Sequence, residues 1–254
     1  MYAGVMKDRM SSARLIMDNV SHSYGGVAVL RNIDLAVNPG EILVIVGPSG
    51  CGKSTILNLL SGYIEPVAGS VQSEGIIRTV YQQDGLFPWL TVSENILIGL
   101  RSVVNVSERE KELKELIELV HLGGFENHYP HQLSGGMRQR VELARALAGE
   151  SDILLMDEPF SSLDYQARLH LRRELIRLLQ KRQRTVVLVT HDIEEAVQLA
   201  NRVLILSKRP ATVARMLTIR ATHPRDFSNA ELIDAMKIIL RELGLEDETT
   251  AANR

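Results

Sequence analysis

The sequence predicts an α/β fold: a mainly parallel sheet with helices on both faces, an antiparallel β part and an inserted helical lobe. Three observations lead there. Short apolar runs, in "ILVIV", "DILLMD", "TVVLVT" and "RVLILS", recur along the chain, the first of them rich in β-branched residues. Helical stretches lie between the last three. A long helix-rich segment separates the first run from the others.

The elements follow in order. "ARLIMDNVSHSYGGVAVLRNIDLAV" reads as strands broken at Gly25-Gly26. "NPGE" at 38 to 41 is a turn with Pro then Gly at its centre. "ILVIV" (42 to 46) is a strand buried on both faces, and "KSTILNLLSG" is a helix stopped by Gly62. From 91 to 149 helices dominate. In "SEREKELKELIELVHLGG", Ser107 and Glu110 read as a capping box, Leu113, Leu116, Ile117 and Val120 form one stripe, and Gly123-Gly124 ends the helix. Strands at 152–157, 185–190 and 202–207 alternate with helices at 163–182 and 192–201. A last helix has Ser228 and Glu231 at its start and Gly244 at its end. The expected organisation is a loose arm over 1–13, an α/β core over 14–90 and 150–210, a helical lobe over 91–149 and a C-terminal helical extension over 211–254.

Composition narrows the function. The 254 residues are 45% hydrophobic and 24% charged with a formal net charge of -2, which does not suggest a nucleic-acid partner. No apolar run reaches the eighteen or so residues of a membrane span, and the start lacks the apolar core of a secretion signal. The single cysteine, Cys51, excludes an intrachain disulfide. A cytoplasmic location is expected.

"GPSGCGKST" (47 to 55) fits the phosphate-loop pattern G-x-x-x-x-G-K-[ST], in the strand–loop–helix context that pattern requires. Gly47, Gly50 and Gly52 let the loop curl so that main-chain N–H groups of Pro48–Thr55 (Pro48 itself has none), Ser49 and Cys51 included, point at phosphates. Lys53 supplies charge at the β/γ end and Ser54 a hydroxyl for Mg²⁺. This makes the core a phosphate-loop NTPase. In "ILLMDEP", Asp157 stands at the C-terminal end of a core strand, where such sheets bind ligands. Asp157 suits Mg²⁺, and Glu158 suits a water attacking the γ-phosphate. "QLSGGMRQR" (132 to 140) poses a puzzle. Ser134 can cap a helix, and Gly135 and Gly136 leave its first N–H groups bare, so this is a second anion site in one chain.

The motifs together resemble those of the ATP-binding subunits of ABC transporters, over residues 14 to 210. "LSGGMRQR" is similar to that family's signature, which other phosphate-loop ATPases lack. The resemblance implies that Tyr24 in "SYGG" stacks on adenine and that Gln82 in "VYQQ", rather than Gln83, contacts the metal and the attacking water. It implies that Asp164 in "SSLD" belongs to the D-loop and that His191 in "VTHD" lies near the γ-phosphate. ATP and Mg²⁺ are the implied cofactors. In this family two cassettes pack head to tail, so Ser134, Gly135 and Gly136 of one chain face the nucleotide of the other, which accounts for the second anion site.

One cassette without a membrane span implies a separate integral-membrane permease, and indirectly a solute-binding protein. The chain would then lie at the inner face of the membrane through that permease. "LFPWLTV" places Leu86, Phe87, Trp89 and Leu90 around Pro88, where importers receive a permease helix; ordinary lobe core is the competing reading. "PWLTV", "YPHQLSGGMRQR" and "DEPFSSLD" resemble the nitrate, sulfonate and taurine importer branch, although that branch more often has "DEPFGALD" and a Phe at Tyr81. The alternative class is a soluble ABC-type ATPase of repair or translation, whose tandem cassettes, zinc modules or long arms are not seen in the sequence. For Cys51, a modifiable thiol and a tolerated small residue both remain open.

Overall fold

The computed structural model describes residues 14–81 and 85–245. The expected N-terminal arm and Gln82 lie outside these. The chain forms two compact units, Met1–Glu74 with Val187–Arg254, and Gly75–Val186.

The first unit opens with β1 (Leu15–Tyr24) and β2 (Val27–Val37), an antiparallel hairpin. Its two-residue turn, Gly25-Gly26, has both φ values positive (53° and 82°), which matches the twist of the flanking strands. The Pro39-Gly40 turn that follows also has its glycine at positive φ, 72°. It delivers β3 (Ile42–Val46), whose residues are all buried, and the chain then enters α1 (Lys53–Leu60). α1 ends in a Schellman motif: Gly62 N–H donates to Leu59 O and Tyr63 N–H to Asn58 O. β4 (Ala68–Ser73) completes a three-stranded sheet in the order β2-β1-β4.

In the second unit β5 (Ile77–Val80) pairs in parallel with β6 (Ile153–Asp157). Between them run α2 (Val92–Gly99), α3 (Val106–Leu119) and α4 (Gly135–Leu147). α2 has a full capping box, Thr91 with Glu94. α3 is capped by Asn105, not by Ser107 with Glu110: the Asn105 carboxamide accepts from the N–H groups of Ser107 and Glu108. Asparagine ranks with the strongest N-caps, so the helix starts earlier than the Ser/Glu spacing suggested. The same helix stops before Gly123. His121 adopts φ 53°, and a Schellman pair, His121 N–H to Glu118 O and Leu122 N–H to Ile117 O, closes it. At the end of α4 the buried Arg184 guanidinium donates to Leu147 O at 2.9 Å and to Gly149 O. Burial, then the neighbouring Arg182 and Arg78, draw its pKa down to about 10, so it stays a cation at neutral pH. α5 (Tyr165–Lys181) leads to β7 (Thr185–Val189), which carries the chain back to the first unit.

There the strand order is β7-β3-β8-β9, with β8 (Arg202–Leu206) parallel to β3. α6 (Ile193–Leu199) packs on β3 and on α7 (Ala230–Glu242). The expected C-terminal helical extension over 211–254 does hold a helix, α7, but a strand the sequence reading did not include precedes it: β9 (Val213–Thr218), antiparallel to β8. β9 is a partly exposed edge strand, so its sequence lacks the solid apolar run that marks β3 and β8. α7 is capped by Asn229, one residue after the expected Ser228, and ends at Gly244 in a Schellman motif. A buried ion pair joins the Pro39-Gly40 turn to β8: Arg202 donates to both Glu41 carboxylate oxygens and to Ala36 O, and Asn38 also donates to that carboxylate. Among the described residues no helix is long and apolar enough to cross a membrane.

Candidate nucleotide site

The phosphate loop leaves the buried end of β3 and curls back at Pro48, whose carbonyl accepts from Cys51 N–H at 3.2 Å. Lys53 folds over it, its Nζ donating to Gly47 O at 2.9 Å and Pro48 O at 3.2 Å. The ammonium is thereby held at the loop. Gly52, the N-cap of α1, has φ 116° and makes no side-chain cap, so no side chain takes the first N–H groups of the helix. A Cβ at Gly52 would lie 2.7 Å from Val29 Cγ1 and 2.9 Å from Leu30 Cδ2, and one at Gly47 would lie 2.9 Å from Cys51 Sγ. The bare backbone is therefore a steric requirement at Gly47 and Gly52, whereas at Gly50 only φ 71° calls for glycine. Ser49 and Ser54 are exposed and Thr55 is buried. Cys51 is buried, and that burial pushes its thiol pKa up despite the nearby Lys53 charge, which favours the packing reading over a reactive thiolate.

Tyr24 ends β1 at the glycine turn and is 48% exposed, an aromatic face open to stacking. The His22 ring meets it edge-on, with centroids 4.7 Å apart. His191 follows Thr190, whose N–H donates to Ile45 O in β3. The Thr190 hydroxyl donates to Glu195 at 2.6 Å and accepts from Asp192 N–H, while Asp192 caps α6. The exposed His191 thus rides on a fixed turn in the same unit as the phosphate loop.

The second unit gathers the other candidates. Asp157 is buried at the end of β6. Glu158 follows in a left-handed conformation, φ 47°, uncommon for a residue with a side chain. Ser134 caps α4 by accepting Met137 N–H at 3.3 Å, and the exposed Gly135 follows it. The two glycines differ. A Cβ at Gly136 would lie 2.9 Å from Ser162 O, while one at Gly135 would meet only Arg138 Nη2 at 3.8 Å. Asp164 is exposed and caps α5 through Ala167 N–H at 2.9 Å. The sequence reading passed over Gln139. It is buried on the α4 face that also carries Gly136 and Leu143, and a polar residue at a core position of a helix is the signal that could have found it.

The residues present fit a magnesium nucleotide. The curled glycine loop with an inward lysine suits phosphates, and the hydroxyl and carboxylate oxygens of Ser54 and Asp157 are the hard donors that Mg²⁺ prefers.

The family model for the ABC transporter matches residues 30–161. The "Uncharacterized ABC transporter ATP-binding protein MJ0412" of Methanocaldococcus jannaschii is 41% identical over 250 residues, 93% of each chain. The "Aliphatic sulfonates import ATP-binding protein SsuB" of Bacillus subtilis is 41% identical over 222 residues, 84% of this chain and 86% of its own. A solved dimeric, post-hydrolysis structure of the ATP-binding cassette MJ0796, bound to ADP and Pi, matches with TM-score 0.72 and 32% identity, covering 82% of this chain and 100% of that one. The chain belongs to the ABC transporter family, as an ATP-binding subunit that hydrolyses ATP with Mg²⁺ as cofactor.

Proposed function

We propose that the chain powers a solute importer, working as a homodimer that drives a separate integral-membrane permease at the inner face of the cell membrane. The observation that carries the import reading is the likeness, over most of both chains, to the sulfonate import subunit of Bacillus subtilis. The solute is nitrate, a sulfonate, taurine or a related small molecule, handed to the permease by a solute-binding protein. An exposed aromatic segment supports the permease contact. Trp89 is 69% exposed beside Phe87, their centroids 5.4 Å apart. The fully buried Asn95 holds the segment rigid, accepting from Phe87 N–H and donating to the carbonyls of Phe87, Leu90 and Thr91. A rigid, solvent-facing aromatic pair suits an interface anchor better than lobe core.

In this reading Tyr24 stacks on adenine, and the loop Gly47–Thr55 with Lys53 binds the phosphates. Ser54, Gln82 and Asp157 hold the metal, which when bound neutralises charge building on the phosphate oxygens. Glu158 accepts the proton of the attacking water, and Gln82 and His191 orient that water and the γ-phosphate. Ser134, Gly135 and Gly136 of one copy bind the γ-phosphate of ATP held by the other, with Asp164 at the same interface. ADP lacks that phosphate, so the dimer loosens after hydrolysis.

Two experiments test this. Glu158→Gln with MgATP is expected to elute from gel filtration as a dimer; a monomer under saturating MgATP contradicts the head-to-tail arrangement. A pull-down from detergent-solubilised membranes of the source cell is expected to return a polytopic permease. Soluble partners alone would instead favour the repair or translation class.

A further inference from the structure

We propose that Gln139 is a positioning residue for ATP hydrolysis: its side-chain amide holds the main chain of Glu158 in the left-handed conformation that aims the carboxylate. The inference rests on Glu158 as the group that activates water.

Every polar position of this buried amide except one acceptor lone pair has a partner. Gln139 is 5% exposed. Its Nε2 donates to Glu158 O at 2.9 Å and to Ser161 Oγ at 3.3 Å. Its Oε1 accepts from Ser162 N–H at 2.9 Å. The Ser161 hydroxyl and N–H both donate to the same Glu158 carbonyl, at 3.0 and 3.2 Å. That oxygen thus collects three donors, one of them from a different secondary-structure element.

The geometry gives these bonds a purpose. A non-glycine residue at φ 47° persists only when its surroundings over-determine it. Turning Glu158 back to a right-handed φ would swing its carbonyl away from Gln139 and Ser161 and re-aim its side chain. One helical turn before Gln139, Gly136 lets Ser162 O approach so closely that a Cβ would lie 2.9 Å from it. Gly136 and Gln139 are spaced i, i+3 on one face of α4. α4 therefore grips the 158–162 turn at two points, one by shape and one by hydrogen bonds. A cap or a local turn needs neither a buried amide nor a contact nineteen residues away.

The test is steady-state MgATP hydrolysis by the full chain carrying Gln139→Met, which keeps length and apolar bulk but removes the donor and the acceptor. A misaimed base lowers turnover with substrate binding retained. We expect kcat to fall about tenfold or more while KM for ATP stays within about threefold. A kcat within about twofold of the unmodified chain, or a rise in KM with kcat unchanged, overturns the proposal. Glu158→Gln is measured alongside. If it stays silent while Gln139→Met turns over normally, only the role of Gln139 fails. If Glu158→Gln turns over normally, Glu158 is not the base and both readings fall. Should Gln139→Met not fold, Ser161→Ala decides: it removes one of the three donors, and a drop in kcat of about threefold is expected, with an unchanged kcat overturning the proposal.

Discussion

Replacing Gly52 with alanine separates the shape of the phosphate loop from its chemistry, because no functional group is removed. At φ 116° an alanine lies outside the regions open to L-residues. Its Cβ would also sit 2.7 Å from Val29 and 2.9 Å from Leu30, both buried and unable to swing away. The backbone strain costs about 1–3 kcal/mol and the overpacking about 1–3 kcal/mol. The loop avoids most of that by relaxing, since few hydrogen bonds, among them Cys51 N–H to Pro48 O and the Lys53 contacts, hold its curl. Relaxation turns N–H groups away from the phosphates. Melting without nucleotide therefore moves little, and the effect appears on adding MgATP. Ligand at a hundred times Kd stabilises by about 2.7 kcal/mol, and binding weakened about a hundredfold leaves about 0.4 kcal/mol. For a chain of this size the nucleotide-induced rise in Tm falls from about 5–10 °C to about 1 °C. Gly50→Ala is the control. Its Cβ meets nothing within 4 Å and bears only the left-handed φ, so most of the rise survives. A Gly52→Ala chain with the full rise, or a Gly50→Ala chain damaged as badly, refutes the steric argument.

The same structure gives further expected outcomes. Glu41→Ala strands the buried Arg202 cation, so urea unfolding is expected to show a loss of about 3–5 kcal/mol, while Glu41→Leu with Arg202→Met loses much less. Burial, then the Arg225 charge, lowers the His223 pKa to about 4, below the 6.5 of an unfolded histidine. The neutral ring's contribution is therefore complete above pH 6.5 and is lost as pH falls toward 4. With the ring only part-buried this amounts to about 1–2 kcal/mol, and His223→Gln is expected to flatten that part of the pH–stability curve. Asp164→Ala loses the cap of α5, about 1 kcal/mol by urea unfolding, whereas Asp164→Asn keeps the cap. Any turnover lost in the asparagine chain then reports on the charge alone.

How much of this was legible in the sequence depended on where the ordering forces act. β3, β6, β7 and β8 announce themselves because every residue is buried, so their apolar runs are unbroken. β4 was missed: "AGSVQS" is almost wholly exposed and is a strand only because its backbone pairs with β1. The expected helix starts at Ser107 and Ser228 differ from the observed caps Asn105 and Asn229 because asparagine and serine cap about equally well, so the Ser/Glu spacing alone does not decide between neighbouring candidates. For the site, residue types and spacing pointed to the phosphate loop, the acidic pair and a second anion-holding helix start, and the family resemblance identified the last as the signature. They could not say that Gly136 must be bare while Gly135 has room, since that depends on the close approach of Ser162. Nor could they say that Glu158 stands left-handed, or that an amide on α4 meets its carbonyl. Those facts belong to packing between segments far apart in the chain.

Ser134 illustrates how one oxygen can serve two masters. Its lone pair receives the Met137 N–H that starts α4, and its own proton is left for another acceptor. Aspartate would satisfy the helix as well, but it offers no proton and brings negative charge toward a phosphate. Alanine would leave the helix start uncapped, and glycine would supply no hydroxyl. Only a small alcohol begins the helix and greets an anion with the same atom. In the proposed dimer, selection for folding and selection for nucleotide sensing therefore meet at this residue, and a library screened for stability alone is expected to admit acids that a screen for ATP turnover rejects.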